Sequence, residues 1–166
     1  TITVNGLSKA YAMTGWRVGY IGAPEWIAKA CTKLQGQTTS GTNCIAQRAA
    51  ITALKSPLSK IKYMIDEFNF RRNRILDLIK DIDGFKINRP KGAFYVFPDI
   101  SNFFGKSING TKIKNATDFS LFLLEKANVA TVTGDAFGCP NNIRISYAAS
   151  LEKIEDALNR IKNVLN

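Results

Sequence analysis

A lysine and an arginine eight positions apart stand out in the stretch Gly6-Leu7-Ser8-Lys9-Ala10-Tyr11-Ala12-Met13-Thr14-Gly15-Trp16-Arg17-Val18-Gly19-Tyr20. Lys9 follows the strand-like Ile2-Thr3-Val4 and sits among apolar and small residues. Burial in such a setting disfavours the ammonium form and lowers a lysine pKa, which supplies the neutral amine that a Schiff base needs. Arg17 lies between Gly15 and Gly19, whose missing side chains let backbone approach a ligand closely. A guanidinium there suits a phosphate, which it can hold through two parallel hydrogen bonds. One short segment therefore offers an imine-forming amine and a phosphate anchor. The plainer alternative is a pair of surface residues flanking a hairpin.

A second arginine interrupts an apolar strand, Asn142-Ile143-Arg144-Ile145-Ser146-Tyr147-Ala148. Ile143, Ile145 and Tyr147 fall on one face of a strand and Arg144 on the other. Arg144 is either an edge charge or an anion clamp, and periodicity alone favours the edge charge. Other chemistries are thin. Histidine is absent, which removes Ser-His-Asp and Cys-His catalysis and the usual histidine-rich metal sites. Lysine, tyrosine or a carboxylate must then move any proton. Cys31, Cys44 and Cys139 are odd in number and widely spaced, against a disulfide framework or a zinc site. They read as small buried hydrophobes in a reducing compartment. No metal is expected.

The composition is that of a soluble globular protein, with 45% hydrophobic and 22% charged residues. No apolar run approaches the ~20 residues of a membrane-spanning helix, and no signal peptide is visible. The formal net charge of +10 raises the question of a polyanion partner. The basic residues are spread along the chain, and no aromatic-basic RNA-binding motif accompanies them, so no nucleic-acid partner is expected. The chain opens on Thr1 in what reads as mid-strand, which suggests a segment cut from something longer.

The elements that must position these residues follow from periodicity. Ile2–Val4 and Val18–Gly22 read as strands. Pro24 starts a helix with Trp26, Ile27, Ala30 and Leu34 on its apolar face, followed by a loop over 36–41. Asn43 or Thr42 caps a second helix. Leu58 to Ile82 predicts one long amphipathic helix, through Ile61, Ile65, Phe68, Ile75 and Leu78. Strands are expected over 85–88, 93–97, 129–133 and 142–147, with loops over 101–115 and 134–141. Thr117 is expected to cap a helix carrying Phe119, Phe122 and Leu123. Ser150 is expected to cap the last helix, with its stripe of Ile154, Leu158, Ile161 and Leu165. Ser56-Pro57 marks a boundary between residues 1–56 and 57–166.

Pyridoxal phosphate (PLP) carries both an aldehyde and a phosphate. The whole Gly6–Tyr20 string resembles, position for position, the PLP-attachment segment of the class I/II, fold-type-I aminotransferases: small-apolar-small-Lys, then Gly-x-Arg-apolar-Gly. Gly92-Ala93-Phe94-Tyr95-Val96 and the Arg144 strand resemble later segments of the same family. The resemblance implies that Lys9 forms the Schiff base and moves the substrate proton. It implies that Arg17 binds the cofactor phosphate and Arg144 the substrate α-carboxylate. Some members place a serine three residues before the lysine; here that position is Gly6, and Ser8 is a weak substitute as a cofactor contact. Thr133 replaces a proline in the turn Thr133-Gly134-Asp135-Ala136-Phe137-Gly138, which predicts a looser loop.

The implied fold is α/β: the C-terminal part of the fold-type-I PLP-dependent transferase fold. Residues 1–56 would be a remnant of the large PLP-binding domain, and 57–166 a linker helix and small α+β domain. The implied reaction transfers an amino group between an amino acid, aspartate by preference, and a 2-oxo acid, in a cytoplasmic homodimer. The family's groups around the cofactor ring are not identifiable in these residues, so little activity is expected of the segment alone. The alternatives are a basic non-enzymatic binding module, or another fold-type-I PLP enzyme such as a carbon-sulfur lyase or a decarboxylase.

Overall fold

A computed structural model describes all of residues 1–166. The chain divides into two compact units, Thr1–Tyr63 and Met64–Asn166.

The first unit begins with β1 (Thr3–Gly6) and β2 (Gly19–Gly22), an antiparallel ribbon in which Thr3 faces Gly22 and Gly6 faces Gly19. Every ribbon residue is exposed. Two helices follow, α1 (Glu25–Thr38) and α2 (Cys44–Lys55). α1 runs through Gly36 instead of stopping before it; a helical glycine costs about 1 kcal/mol relative to alanine but need not break a helix. Asn43 is the N-cap of α2, its side-chain oxygen accepting from the Ile45 and Ala46 N–H groups. The small core comprises Leu7, Met13 and Val18 against Ala46 and Ala50.

The expected long helix from Leu58 is broken at its start. Residues Leu58–Lys60 form a 3-10 turn closed by Lys60 and Ile61 N–H bonds to Pro57 and Leu58, and α3 runs from Lys62 to Lys80. Pro57 fixes the extended entry, and the tight i→i+3 bonds that follow do not lead directly into α geometry.

In the second unit a three-stranded antiparallel sheet has β7 (Ile143–Ser146) at its centre, flanked by β3 (Tyr95–Val96) and β6 (Val132–Thr133). A small hairpin, β4 (Ser107–Ile108) and β5 (Thr111–Lys112), interrupts the expected loop. The helices α4 (Ala116–Ala127) and α5 (Leu151–Leu165) complete it. Twenty buried residues from Ile75 to Ile161 form one core, with Tyr147, Phe119 and Phe122 the largest of its fully buried side chains. Arg160 on α5 donates to the Ala127 and Asn128 carbonyls at the end of α4, where a cation is favoured.

Several strands are shorter than their apolar runs. Residues 85–88 contribute only the bridge from Lys86 to Asp99. Ala93, at φ 58°, turns the chain just before β3, and Asn128, in the left-handed conformation, ends α4 and delays β6. The cap of α4 is Asn115, which accepts from the Asp118 N–H at 2.8 Å, and not Thr117, which lies inside the helix. Ser150 occupies the cap position of α5 without a side-chain hydrogen bond. All three cysteines are exposed, contrary to expectation. Cys31 lies on a helix with no buried residue, Cys44 opens α2, and Cys139 lies in a turn built by its backbone.

Candidate functional site

Ser8, Lys9 and Arg17 all lie on the loop between β1 and β2. Three apolar side chains hold this loop down. Leu7 is 1% exposed, and Met13 and Val18 are 9% exposed. They rest on the alanine face of α2, where Ala46, Ala49, Ala50 and Ala53 let the loop approach closely. The Leu7 carbonyl accepts from the Tyr11 N–H and the Lys9 carbonyl from the Ala12 N–H, so Lys9 sits in one tight turn. Ser8 is half-buried. Lys9 is exposed, not buried as its apolar neighbours suggested, because Leu7 and Met13 point into the small core in its place.

The loop is strained where the anchor lies. Ala12 and Arg17 adopt φ 53° and 54°, a left-handed conformation costing roughly 1–2 kcal/mol for a non-glycine residue. Such outliers cluster at functional sites, held by the surrounding packing. Arg17 follows a 3-10 turn, Thr14–Trp16, and its Nη1 donates back to the Thr14 carbonyl at 2.9 Å. That bond uses one of the five guanidinium N–H groups. Arg17 lines an open cavity of about 780 Å³ with Ala12, Gly15, Trp16, Gln35 and Asn43; Ser8 and Lys9 do not line it. A primary amine and a guanidinium fixed on one loop, with nothing within 4 Å of where a Gly15 Cβ would stand, form a donor set that fits an aldehyde-bearing phosphate such as PLP.

Arg144 belongs to the second unit. On β7 it alternates with the buried Ile143 and Ile145, as its periodicity predicted. Its guanidinium lies 4.4 Å from the Tyr95 ring centroid and 4.6 Å from that of Phe137. Cation–π contacts of this kind contribute about 0.5–1 kcal/mol each at exposed sites and more when desolvated. No carboxylate of the chain pairs with it. Neither ring was picked out from the sequence. Tyr95 reaches Arg144 across the sheet, since its partner on β7 is Ser146, two residues along on the same face.

Phe137 comes from the 3-10 turn Gly134–Phe137. The turn is not loose. Thr133 donates its hydroxyl to the Asp135 carboxylate at 2.7 Å and caps the turn in the place of the family's proline. Gly134 packs so tightly that a Cβ would stand 2.0 Å from the Cys139 carbonyl oxygen and 2.5 Å from that of Asn142. Beside the site, Tyr147 is buried and donates to the Ala93 carbonyl at 3.0 Å; burial pushes its phenol above the ordinary range. No cluster of side chains could hold a metal ion, and no helix is long and apolar enough to cross a membrane.

Lys9 and Arg17 thus lie on one strained loop, and Arg144 lies on a separate small sheet. The family model for aminotransferase class I and II matches residues 1–161, and the chain belongs to that family. It is similar to a bifunctional aspartate aminotransferase and glutamate/aspartate-prephenate aminotransferase from Petunia hybrida, at 46% identity over 99% of this chain and 35% of the relative. An aspartate aminotransferase from Rhizobium meliloti (strain 1021) is 45% identical over 97% of this chain and 40% of its own length. A crystal structure of the aspartate aminotransferase from Rhizobium meliloti superposes with a TM-score of 0.96 at 44% identity, over 99% of this chain and 42% of that one. The aromatic aminotransferase from Pyrococcus horikoshii gives 0.89 at 38% identity, over 99% and 43%. The chain thus spans well under half the length of the relatives it matches.

Proposed function

We propose that this chain carries the attachment lysine and two anion-binding arginines of an enzyme that moves an amino group between aspartate and a 2-oxo acid. The observation that carries the reading is the β1–β2 loop, which pins Lys9 and Arg17 to one support through Leu7, Met13 and Val18. When bound, PLP supplies the electron sink that makes the substrate α-proton removable. The chain's own residues do the rest. Lys9 Nζ is the covalent attachment point and the base that takes and returns that proton. Arg17 holds the phosphate through the N–H groups not spent on Thr14, with the Ser8 hydroxyl as a lesser donor. Arg144 meets the substrate α-carboxylate with its free edge and so orients the α-carbon. The choice of aspartate is supported by the printed names of the Petunia and Rhizobium relatives.

The same reading places residues 1–56 in a larger cofactor-binding domain and 57–166 in a linker helix and small domain; the chain also divides into two compact units, but seven residues later, at Tyr63/Met64. It also takes the working enzyme as a cytoplasmic homodimer, a location that suits three exposed, unpaired thiols. Incubating the chain with PLP, reducing with borohydride and mapping pyridoxyl peptides tests the site. One dominant adduct at Lys9, absent in Lys9→Ala and weakened in Arg17→Ala, is the expected result. Adducts scattered over many lysines would remove the support for a site formed by this loop.

A further inference from the structure

We propose that Tyr95 and Phe137 are positioning residues for Arg144, and that the Thr133–Asp135 hydrogen bond fixes Phe137 in place. The inference rests on the reading of Arg144 as the carboxylate clamp. With a ring centroid 4.4 Å away in Tyr95 and another 4.6 Å away in Phe137, the guanidinium is in cation–π range of two rings at once, which restricts where it can turn. Its N–H donors all lie in the guanidinium plane, and no hydrogen bond or ion pair within the chain uses them. A long side chain free to rotate would lose rotamer entropy on binding a carboxylate; one already stacked has lost it beforehand. The stack therefore presents a fixed fork to a planar, two-oxygen ligand.

The two rings are held differently. Tyr95 is part of β3, fixed by pairing with Ser146. Phe137 stands on a short turn and is 45% exposed, so it needs support. Thr133 bonds Asp135 at 2.7 Å, Thr117 reaches the same carboxylate at 3.4 Å, and Phe97 packs edge-on against the Phe137 ring at 5.9 Å. Thr133 stands where the family's proline would restrict the backbone, so the hydroxyl–carboxylate bond replaces a ring constraint with a removable one.

Two measurements test this. In the 166-residue chain, the Arg144 Nε–H resonance is expected upfield of the other arginines through the ring currents of both aromatics. It should move back in Phe137→Ala and Tyr95→Leu and hold in Phe137→Tyr and Tyr95→Phe. The Arg74 Nε–H, paired with Glu155, reports whether each variant is folded. In Thr133→Val, which touches no ring, the resonance should broaden or shift part of the way. An Arg144 signal unchanged in folded Phe137→Ala overturns the stack.

The second measurement uses the full-length holoenzyme and the KM of a 2-oxo acid. Losing either ring should raise KM roughly tenfold with kcat changed far less, the pattern of lost uniform binding. Arg144→Lys separates the two ideas. If it leaves KM unchanged, the clamp reading itself fails; if it raises KM while Phe137→Ala and Tyr95→Leu do not, only the positioning inference fails.

Discussion

At the scale of single residues, the chain commits to backbone conformations that few side chains accept. Arg17 and Ala12 hold positive φ on the lysine loop, and Ala93 does so just before Tyr95. Gly134 is constrained in a different way, by contact and not by φ. Its own N–H bonds the Asn142 carbonyl at 2.7 Å, and its carbonyl accepts from Cys139. A methyl group there would overlap two carbonyl oxygens at 2.0 and 2.5 Å, and backbone cannot move aside cheaply. Gly134→Ala is expected to destabilise the second unit by about 1–3 kcal/mol, the usual cost of forced overpacking. Gly92→Ala, with nothing within 4 Å of the added carbon, should cost much less. Chemical denaturation of both variants decides it, and equal midpoints would refute the steric account. Residues of this kind divide in how well the sequence reveals them. The roles proposed for Lys9, Arg17 and Arg144 came from the resemblance of their segments to the family, because spacing alone left a surface pair and an edge charge open. Tyr95 and Phe137 were not legible, because their contact with Arg144 is made across strands and a turn. The exposure of Lys9 and of the cysteines was missed for a related reason: apolar neighbours in sequence need not be neighbours in space.

At the scale of elements, caps and turn residues decide more than the apolar pattern does. The pattern placed α1, α2, α4, α5 and β7 close to where they lie. It overextended β3 and β6 and merged the turn at 58–60 with α3. Those errors share a cause. An apolar run records which residues are buried, whereas a strand ends where a left-handed residue such as Ala93 or Asn128 turns the chain. Thr117 was chosen as a cap over Asn115, though both are good cap types. The difference is made by the fold, in which the Thr117 hydroxyl faces the Thr133 and Asp135 side chains. Asn115→Ala is therefore expected to cost about 1 kcal/mol, the usual loss for a working cap. Ser150→Ala should cost only a few tenths, since Ser150 makes no side-chain bond to its helix. Thermal unfolding of the two variants side by side tests the distinction. An Asn115→Ala midpoint no lower than that of Ser150→Ala would mean the observed cap bond contributes nothing.

At the scale of the whole molecule, the two units differ in how well this chain alone can hold them. The second unit has twenty buried core residues; the first has five. In the first unit β1 and β2 are exposed throughout and α1 buries nothing, while Val4, Trp26 and Leu34 stand 76%, 74% and 67% exposed. Its charge adds to the imbalance. Thr1–Tyr63 carries eight lysines and arginines against the single carboxylate Glu25, whereas the second unit is nearly balanced, with fifteen against twelve. Like charge concentrated on a thin core favours opening, and local opening free energies follow buried contact and solvent access. Hydrogen exchange should therefore find the amides of α1 and α2 exchanging orders of magnitude faster than those of α4 and α5. Raising salt from about 0.05 to 0.5 M should slow exchange in the first unit more than in the second, because screening acts on the unbalanced charge. Adding PLP should protect residues 7–18 selectively, since a ligand stabilises only the state that binds it. If α1 and α2 proved as protected as α4 and α5 at low salt, the five-residue core would be sufficient support for the lysine loop. The lysine loop would then need no packing beyond that core.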